Sequence, residues 1–304
     1  MTVMEQTFPL SADKEIPAVG FGTYLISNDD VAEAVRTAIL LGYRHIDTAA
    51  GYRNEEGVGD GIRAGMEAAR LSRDDVFVTT KLWPGNPAWG DPPKTRDQTI
   101  AEADASLNRL GLDHVDLYLI HAPYGGTERV RQWEALLELK RTGRAHSIGV
   151  SNFSQSHLEE IRAAGLPMPD ANQLELHPWS QKPELLAYMR EHDISPIAYS
   201  SLVPLSSWRT EPGQNSAKTE DMRADGVVFS KMAEKYGVSE AQFLLRWGVQ
   251  SGYPVLPKSI DPERMRQNID LGGFSIDQSD MDLIKTMDRG NGVAWATGDP
   301  SLAD

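Results

Sequence analysis

The chain has no cysteine among its 304 residues. Disulfides and thiolate chemistry are therefore excluded, and cysteine usage says nothing about compartment. No stretch approaches the roughly 18 uncharged apolar residues that a membrane-spanning helix needs. Positive charge is also scarce, with 30 Lys and Arg against 44 Asp and Glu for a formal net charge of −14. That balance disfavours nucleic acid and anionic membrane as partners, since both bind a positive face, but it leaves room for a local basic pocket. Met1 to Pro9 are acidic and polar rather than basic and then apolar. These features predict a soluble cytoplasmic protein, a monomer by default, acting on a small molecule.

What is present is a regular alternation. Hydrophobic residues make up 40% of the chain, enough for a sizeable core. Phe8 to Ala18 reads as a hairpin or lid. Eight strand-like segments then follow, at 19–23, 44–48, 76–81, 115–121, 146–152, 171–176, 194–200 and 253–256, nearly all succeeded by helical periods. Ser27 or Asn28 caps the first helix, and Gly42, Gly111, Gly143 and Gly165 stand where helices should stop. Val203 to Gly226 is polar, rich in Ser, Pro and Gly, and reads as a long loop. Two helices, 227–236 and 239–249, precede the last strand, and helices over 262–269 and 279–287 follow it. This pattern predicts one (β/α)8 barrel over residues 1–304, with an N-terminal β-hairpin and long loops on the C-terminal face. A doubly wound sheet is the structural alternative. It fits less well, because Gly20-Phe21-Gly22-Thr23-Tyr24 lacks the third glycine of a dinucleotide fingerprint and no acidic ribose partner follows.

In a closed parallel barrel the C-terminal strand ends meet around one opening. The sequence places Asp47 and Tyr52 after the second strand, Lys81 after the third and His121 after the fourth. Ser151 and Asn152 follow the fifth, Gln173 and Tyr199 belong to the sixth and seventh, and Lys258 and Ser259 come after the eighth. Tyrosine is a poor proton shuttle at neutral pH, and a neighbouring ammonium such as Lys81, held by Asp47, would lower its pKa. His121 would orient a carbonyl oxygen. With no nucleophile partnered to a base, the missing ingredient is a hydride donor. Ser151, Asn152 and Gln173 carry the donors and acceptors to clamp a carboxamide, and Tyr199 offers a flat ring. Lys258, Ser259, Arg264 and Asn268 gather at a helix start opened by Asp261-Pro262, a pocket suited to phosphate.

Plainer readings stand beside these. Asp47 with Lys81 is also what a structural ion pair looks like, Asn152 and Ser154 would cap any helix, and Lys258 with Arg264 would suit a solvated helix start. For His45, His177 and His192 packing is the better reading, as it is for Trp133 and Trp247. A metal-dependent hydrolase is a rival suggested by His45-x-Asp47 with His121 and His177, although Lys81 would repel a dication. A nicotinamide-sensing module with little turnover is another.

The chain resembles the aldo-keto reductase superfamily over almost its whole length. The resemblance rests on His45-Ile46-Asp47-Thr48-Ala49 with Tyr52 and Asn54-Glu55, on Ile148-Gly149-Val150-Ser151-Asn152-Phe153, and on Asn172-Gln173-Leu174-Glu175-Leu176-His177-Pro178. Pro257-Lys258-Ser259 with Pro262, Arg264 and Asn268 completes it. The likeness is to the bacterial diketogluconate reductase-like and aldehyde reductase branch. It implies a barrel that binds NADPH in extended form and transfers the 4-pro-R hydride to an aldehyde or ketone, with no metal. Tyr52 would then be the general acid, Lys81 and Asp47 would tune it, and His121 would orient the carbonyl.

The same resemblance implies cofactor contacts from Gly22, Thr23, Asp47, Ser151, Asn152, Gln173, Tyr199, Ser200, Leu202, Lys258, Ser259, Arg264 and Asn268. Lys258 and Arg264 would favour NADPH over NADH. Departures concern the substrate side. Ala122 follows His121 where a tryptophan is common, Gln267 stands where an acid often precedes the final asparagine, and residues 82–95 make a long loop. Tyr24, Trp83, Trp89 and Trp295, with His121, are the candidate substrate wall. The physiological carbonyl and the direction of reaction are left open.

Overall fold

The computed structural model describes residues 6–11, 14–205, 220–290, 292, 294–295 and 298–303, with the backbone alone for 220–227. Strands β1 (Thr7–Ser11) and β2 (Lys14–Pro17) pair antiparallel as a hairpin. The main sheet is β3 (Phe21–Gly22), β4 (His45–Asp47), β5 (Phe77–Leu82), β6 (Val115–Ile120), β7 (Ala145–Ser151), β8 (Ala171–Glu175) and β9 (Ser195–Tyr199). All seven are parallel and lie in chain order. Helices α1 (Asn28–Leu40), α2 (Glu55–Ala69), α3 (Arg96–Leu110), α4 (Arg129–Arg141), α5 (Gln155–Ala163) and α6 (Pro183–Glu191) alternate with them. Helices α7 (Glu220–Tyr236) and α8 (Glu240–Gln250) precede the closing segment, and α9 (Pro262–Ile269) and α10 (Gln278–Lys285) follow it.

The sheet curls shut through Val255, which bridges Val19 on one side and Ala198 on the other, both in parallel. Its N–H donates to Ala18 at 3.0 Å, and its carbonyl accepts from Gly20 N–H at 2.9 Å. The expected eighth strand is therefore a two-sided bridge rather than a full strand, because Pro254 and Pro257 lack the N–H groups that would extend its ladder. Strand and helix order are those of a (β/α)8 barrel.

Two apolar clusters follow from the period-2 alternation of the strands. Leu117, Leu119, Ala171, Ile197 and Leu256 fill the lumen, together with Leu10 and Ile16 of the hairpin. The hairpin is thus a plug rather than a lid. It lies at the N-terminal ends of the strands, where Ser195 Oγ donates to the Pro9 carbonyl at 2.6 Å. Outward-facing residues such as Val78, Tyr118, Ile120, Ile148 and Val150 pack against the helices.

Local signals set the helix ends. Ser27 Oγ accepts from Asp30 N–H, reciprocal caps form at Thr95/Gln98 and Ser239/Gln242, and Gly111 closes α3 at φ 63°. The long loop expected over Val203 to Gly226 is shorter at its end, because α7 begins at Glu220. Residues 206–219 lie outside the described residues. Among the described residues no helix is long and apolar enough to cross a membrane.

Candidate active site

Strand register delivers the polar residues to one end of the barrel. Gly22 lies beside Asp47, Asp47 beside Thr79, and Lys81 beside Leu119. Ser151 lies beside Gln173, and Glu175 beside Tyr199. Tyr52 closes a single 3-10 turn, Ala50–Tyr52, directly after β4. His121 directly follows β6, its N–H held by the Leu82 carbonyl at 3.0 Å.

Lys81 is fully buried and Asp47 nearly so. The lysine donates to Asp47 Oδ1 at 2.6 Å, to the Thr48 carbonyl at 2.9 Å and to the Tyr52 hydroxyl at 3.4 Å. An ion pair this deep survives because each partner finds further hydrogen bonds to offset desolvation. Asp47 Oδ2 accepts from Gln173 Nε2 at 2.8 Å, so both carboxylate oxygens are committed.

One electrostatic expectation fails. Lys81 was expected to lower the Tyr52 pKa, whereas burial pushes the phenol well above its ordinary range, with the Asp47 carboxylate and Tyr24 adding to the rise. The reason is that the ammonium is already neutralised by Asp47 and is itself pulled down by burial. Burial, then Lys81, also drives His121 well below its usual range, so its ring is neutral at pH 7. His121 Nδ1 is buried with no hydrogen-bond partner. The ring meets Tyr52 edge-on at 5.4 Å between centroids.

Beside this group lies an amide cluster. Ser151 Oγ donates to the Gln173 carbonyl at 2.8 Å, and Asn152 Nδ2 donates to the His121 carbonyl at 3.1 Å. Asn152 sits at φ 62°, a left-handed turn that asparagine tolerates and that swings its side chain back toward β6. Tyr199 donates to Asn152 Oδ1 at 2.6 Å, and Trp295 Nε1 donates to the Tyr199 oxygen at 2.9 Å. Ser151, Asn152 and Gln173 are all buried. Thr23 Oγ1 is occupied by the Asp47 carbonyl at 3.0 Å, and Gly22 N–H by the Pro257 carbonyl at 3.0 Å. Ser200 takes a left-handed φ of 57°, and Leu202 packs half-buried against the core.

Lys258 and Arg264 are exposed around the start of α9, where Asp261 caps Arg264 N–H at 2.9 Å. Neither cationic side chain has a carboxylate partner among the described residues. Ser259 Oγ is turned to Asp261, and Asn268 is buried four residues beyond Arg264.

The aromatic wall assembles as well. Trp83 and Trp89 stack at 5.5 Å, and both contact Tyr124, at 6.0 and 6.1 Å. Trp295 meets both His121 and Tyr124, at 5.9 and 6.2 Å, and Tyr24 lies 5.0 Å from Tyr52. Tyr124 was missed by the sequence reading. Its signal was its place three residues after His121, on the loop leaving the same strand. Glu175 was missed too: its Oε1 pairs with His177 at 2.8 Å and its Oε2 accepts Ala294 N–H at 2.9 Å, fastening the segment that carries Trp295.

The histidines read as packing behave as such. His45 is fully buried against Thr79 Oγ1 at 3.0 Å, His177 is held by Glu175, and His192 bonds the Tyr188 carbonyl at 2.9 Å. With Asp47 held by Lys81 and Gln173, the set His45, Asp47, His121 and His177 does not converge on a metal position.

Comparison with known proteins gives a consistent picture. The model of the family described as "Aldo/keto reductase family" matches residues 18–289. "Uncharacterized oxidoreductase YtbE" of Bacillus subtilis is 38% identical over 276 residues, covering 90% of each chain. "Methylglyoxal reductase DkgA" of Escherichia coli is 35% identical, also over 90% of each. A solved Bombyx mori aldo-keto reductase in complex with NADP superposes with a TM-score of 0.83 at 33% identity, covering 95% of each chain.

Proposed function

This chain belongs to the aldo/keto reductase family, whose members are NAD(P)H-dependent oxidoreductases of carbonyl and alcohol groups, and from that premise we propose that it reduces an aldehyde or ketone with NADPH. The observation that carries the reading is the part-buried contact of the Tyr52 hydroxyl with Lys81, itself paired to Asp47 in the core. Two further observations fit the cofactor. Lys258 and Arg264 lack carboxylate partners among the described residues, as a 2′-phosphate site would require. The Gln173 amide oxygen likewise has no donor among the described residues, so it is free to accept from a carboxamide.

Ser151, Asn152 and Gln173 would hold the carboxamide, Tyr199 would support the ring, and Lys258, Ser259 and Arg264 would hold the phosphate, with Asn268 nearer the adenine. Gly22, Thr23, Ser200 and Leu202 would line the path between. When bound, the nicotinamide supplies a hydride equivalent to the carbonyl carbon. Tyr52 donates its proton to the oxygen that becomes an alcohol. Its raised pKa keeps that proton in place at neutral pH, and Lys81 Nζ, 3.4 Å from the hydroxyl, is placed to donate a hydrogen bond to the oxygen left behind. Neutral His121 donates a ring N–H to the same oxygen and orients it. Tyr24, Trp83, Trp89, Tyr124 and Trp295 present flat apolar faces, favouring substrates with an apolar or planar group next to the carbonyl.

The test is NADPH oxidation over a panel of aldehydes, ketones, keto-sugars and methylglyoxal, the last chosen for the Escherichia coli relative's name. Tyr52→Phe should lower turnover by roughly 10²–10⁴-fold while NADPH affinity, followed by fluorescence titration, stays near the parent's. Tight NADPH binding with no turnover of any carbonyl would favour a redox-sensing module, and parental turnover in Tyr52→Phe would remove the acid.

A further inference from the structure

His114, Asp116 and His146 stand together at the end of the barrel opposite Tyr52, and register explains why. His114 directly precedes β6 and Asp116 lies two residues on, so both project to the same face. β6 and β7 pair with Val115 beside Ala145 and Leu117 beside Ser147, which sets Asp116 next to His146. That face is the outer one, since Leu117 and Leu119 turn into the lumen.

The two imidazoles stack with centroids 4.2 Å apart and planes inclined at 29°. His146 Nδ1 is 3.7 Å from Asp116 Oδ1. One nitrogen from each ring and one carboxylate oxygen lie within 4.8 Å of one another. Asp116 is fixed in place, its Oδ2 accepting from Arg73 Nη2 at 2.7 Å and from Val78 N–H at 2.8 Å. Its other oxygen therefore stays turned toward His146. His114 and Asp116 are half-buried and His146 is exposed, so solvent ions reach the group.

We propose that His114, Asp116 and His146 form a binding site for a transition-metal dication, Zn²⁺ in the first instance, with water completing the shell. Two imidazoles and one carboxylate suit Zn²⁺, Ni²⁺ and Cu²⁺, whereas Mg²⁺ prefers an all-oxygen shell. Bonds of about 2.0–2.2 Å place tetrahedral donors roughly 3.3–3.5 Å apart, so the set has to contract by about an ångström. The exposed His146 ring has room to turn toward the other two donors. Arg73 opposes a dication, but it engages the far oxygen, so it weakens the site without blocking it. The ion would join the N-terminal ends of β6 and β7 and leave the opposite face of the barrel untouched.

The test is isothermal titration of the full chain with ZnCl₂, comparing the parent with His146→Ala, His114→Ala and the control His192→Ala. One ion per chain is expected for the parent and the control, with at least tenfold weaker binding in both site variants and no binding of Mg²⁺. Co²⁺ should give visible d–d absorption with the parent and lose it in His146→Ala. Circular dichroism checks that each variant is folded, and since His146 is exposed its removal leaves the core intact. No Zn²⁺ uptake by the parent, or equal uptake by the parent and His146→Ala, overturns the assignment.

Discussion

Lys81 is the residue around which the site is built. A fully buried ammonium is costly alone, and here three oxygens from Asp47, Thr48 and Tyr52 surround it. The residue types and their order at strand ends were legible in the sequence, but the electrostatic outcome was not. Burial depth, which spacing does not encode, decides that the Tyr52 phenol rises rather than falls. His45 shows the same principle with a stability consequence. Burial pushes its pKa from 6.5 down to about 3, with Lys81 adding to the shift. The folded state therefore stays unprotonated where the unfolded chain takes up a proton. The stability contributed is full above pH 6.5 and is lost as pH falls toward 3, at about 1.4 kcal/mol per pH unit. Chemical denaturation at a series of pH values should show at least this slope for the parent, smaller by about one proton in His45→Gln. His121, shifted in the same direction, adds to the parental slope and keeps its share in the variant.

At the scale of elements, Gly59 lets α2 pack tightly against the end of α3. A Cβ there would come within 2.1 Å of the Leu110 carbonyl oxygen at the end of α3. Gly59→Ala has better helix propensity, yet it forces the two helices apart. The expected result is a loss of about 1–3 kcal/mol in urea unfolding. Gain of stability in that measurement would mean that the α2–α3 packing is looser than described. Most elements were readable from apolar period and caps, because Ser27 and Gly111 act locally. The eighth strand and the start of α7 were not. Val255 owes its place to hydrogen bonds with Ala18 and Gly20, more than 230 positions away in the chain. Such long-range pairing leaves no local pattern. In α7 a Ser/Pro/Gly-rich approach masked the point where helical periodicity begins.

Across the whole molecule, a net charge of −14 repels anions, so an anionic cofactor must be met by local cations. Lys258 and Arg264 are exposed near α9 and have no carboxylate partners among the described residues. Arg264→Ala should weaken NADPH binding by roughly 10–100-fold, the range expected for lost hydrogen bonds to a charged group, while NADH changes by less than about threefold. Fluorescence titration with both cofactors measures this, and equal losses would move the phosphate contact elsewhere. Rising ionic strength should weaken NADPH binding in the parent more than in the variant.

Trp295 lies far along the chain from the residues around Tyr52, yet it grips the hydroxyl of Tyr199, which in turn grips Asn152. A premature stop before residue 294 would leave every barrel strand in place while freeing Glu175 from Ala294 and Tyr199 from its indole. Loss of the Trp295 indole alone would then reach Asn152 through Tyr199 without changing a barrel strand.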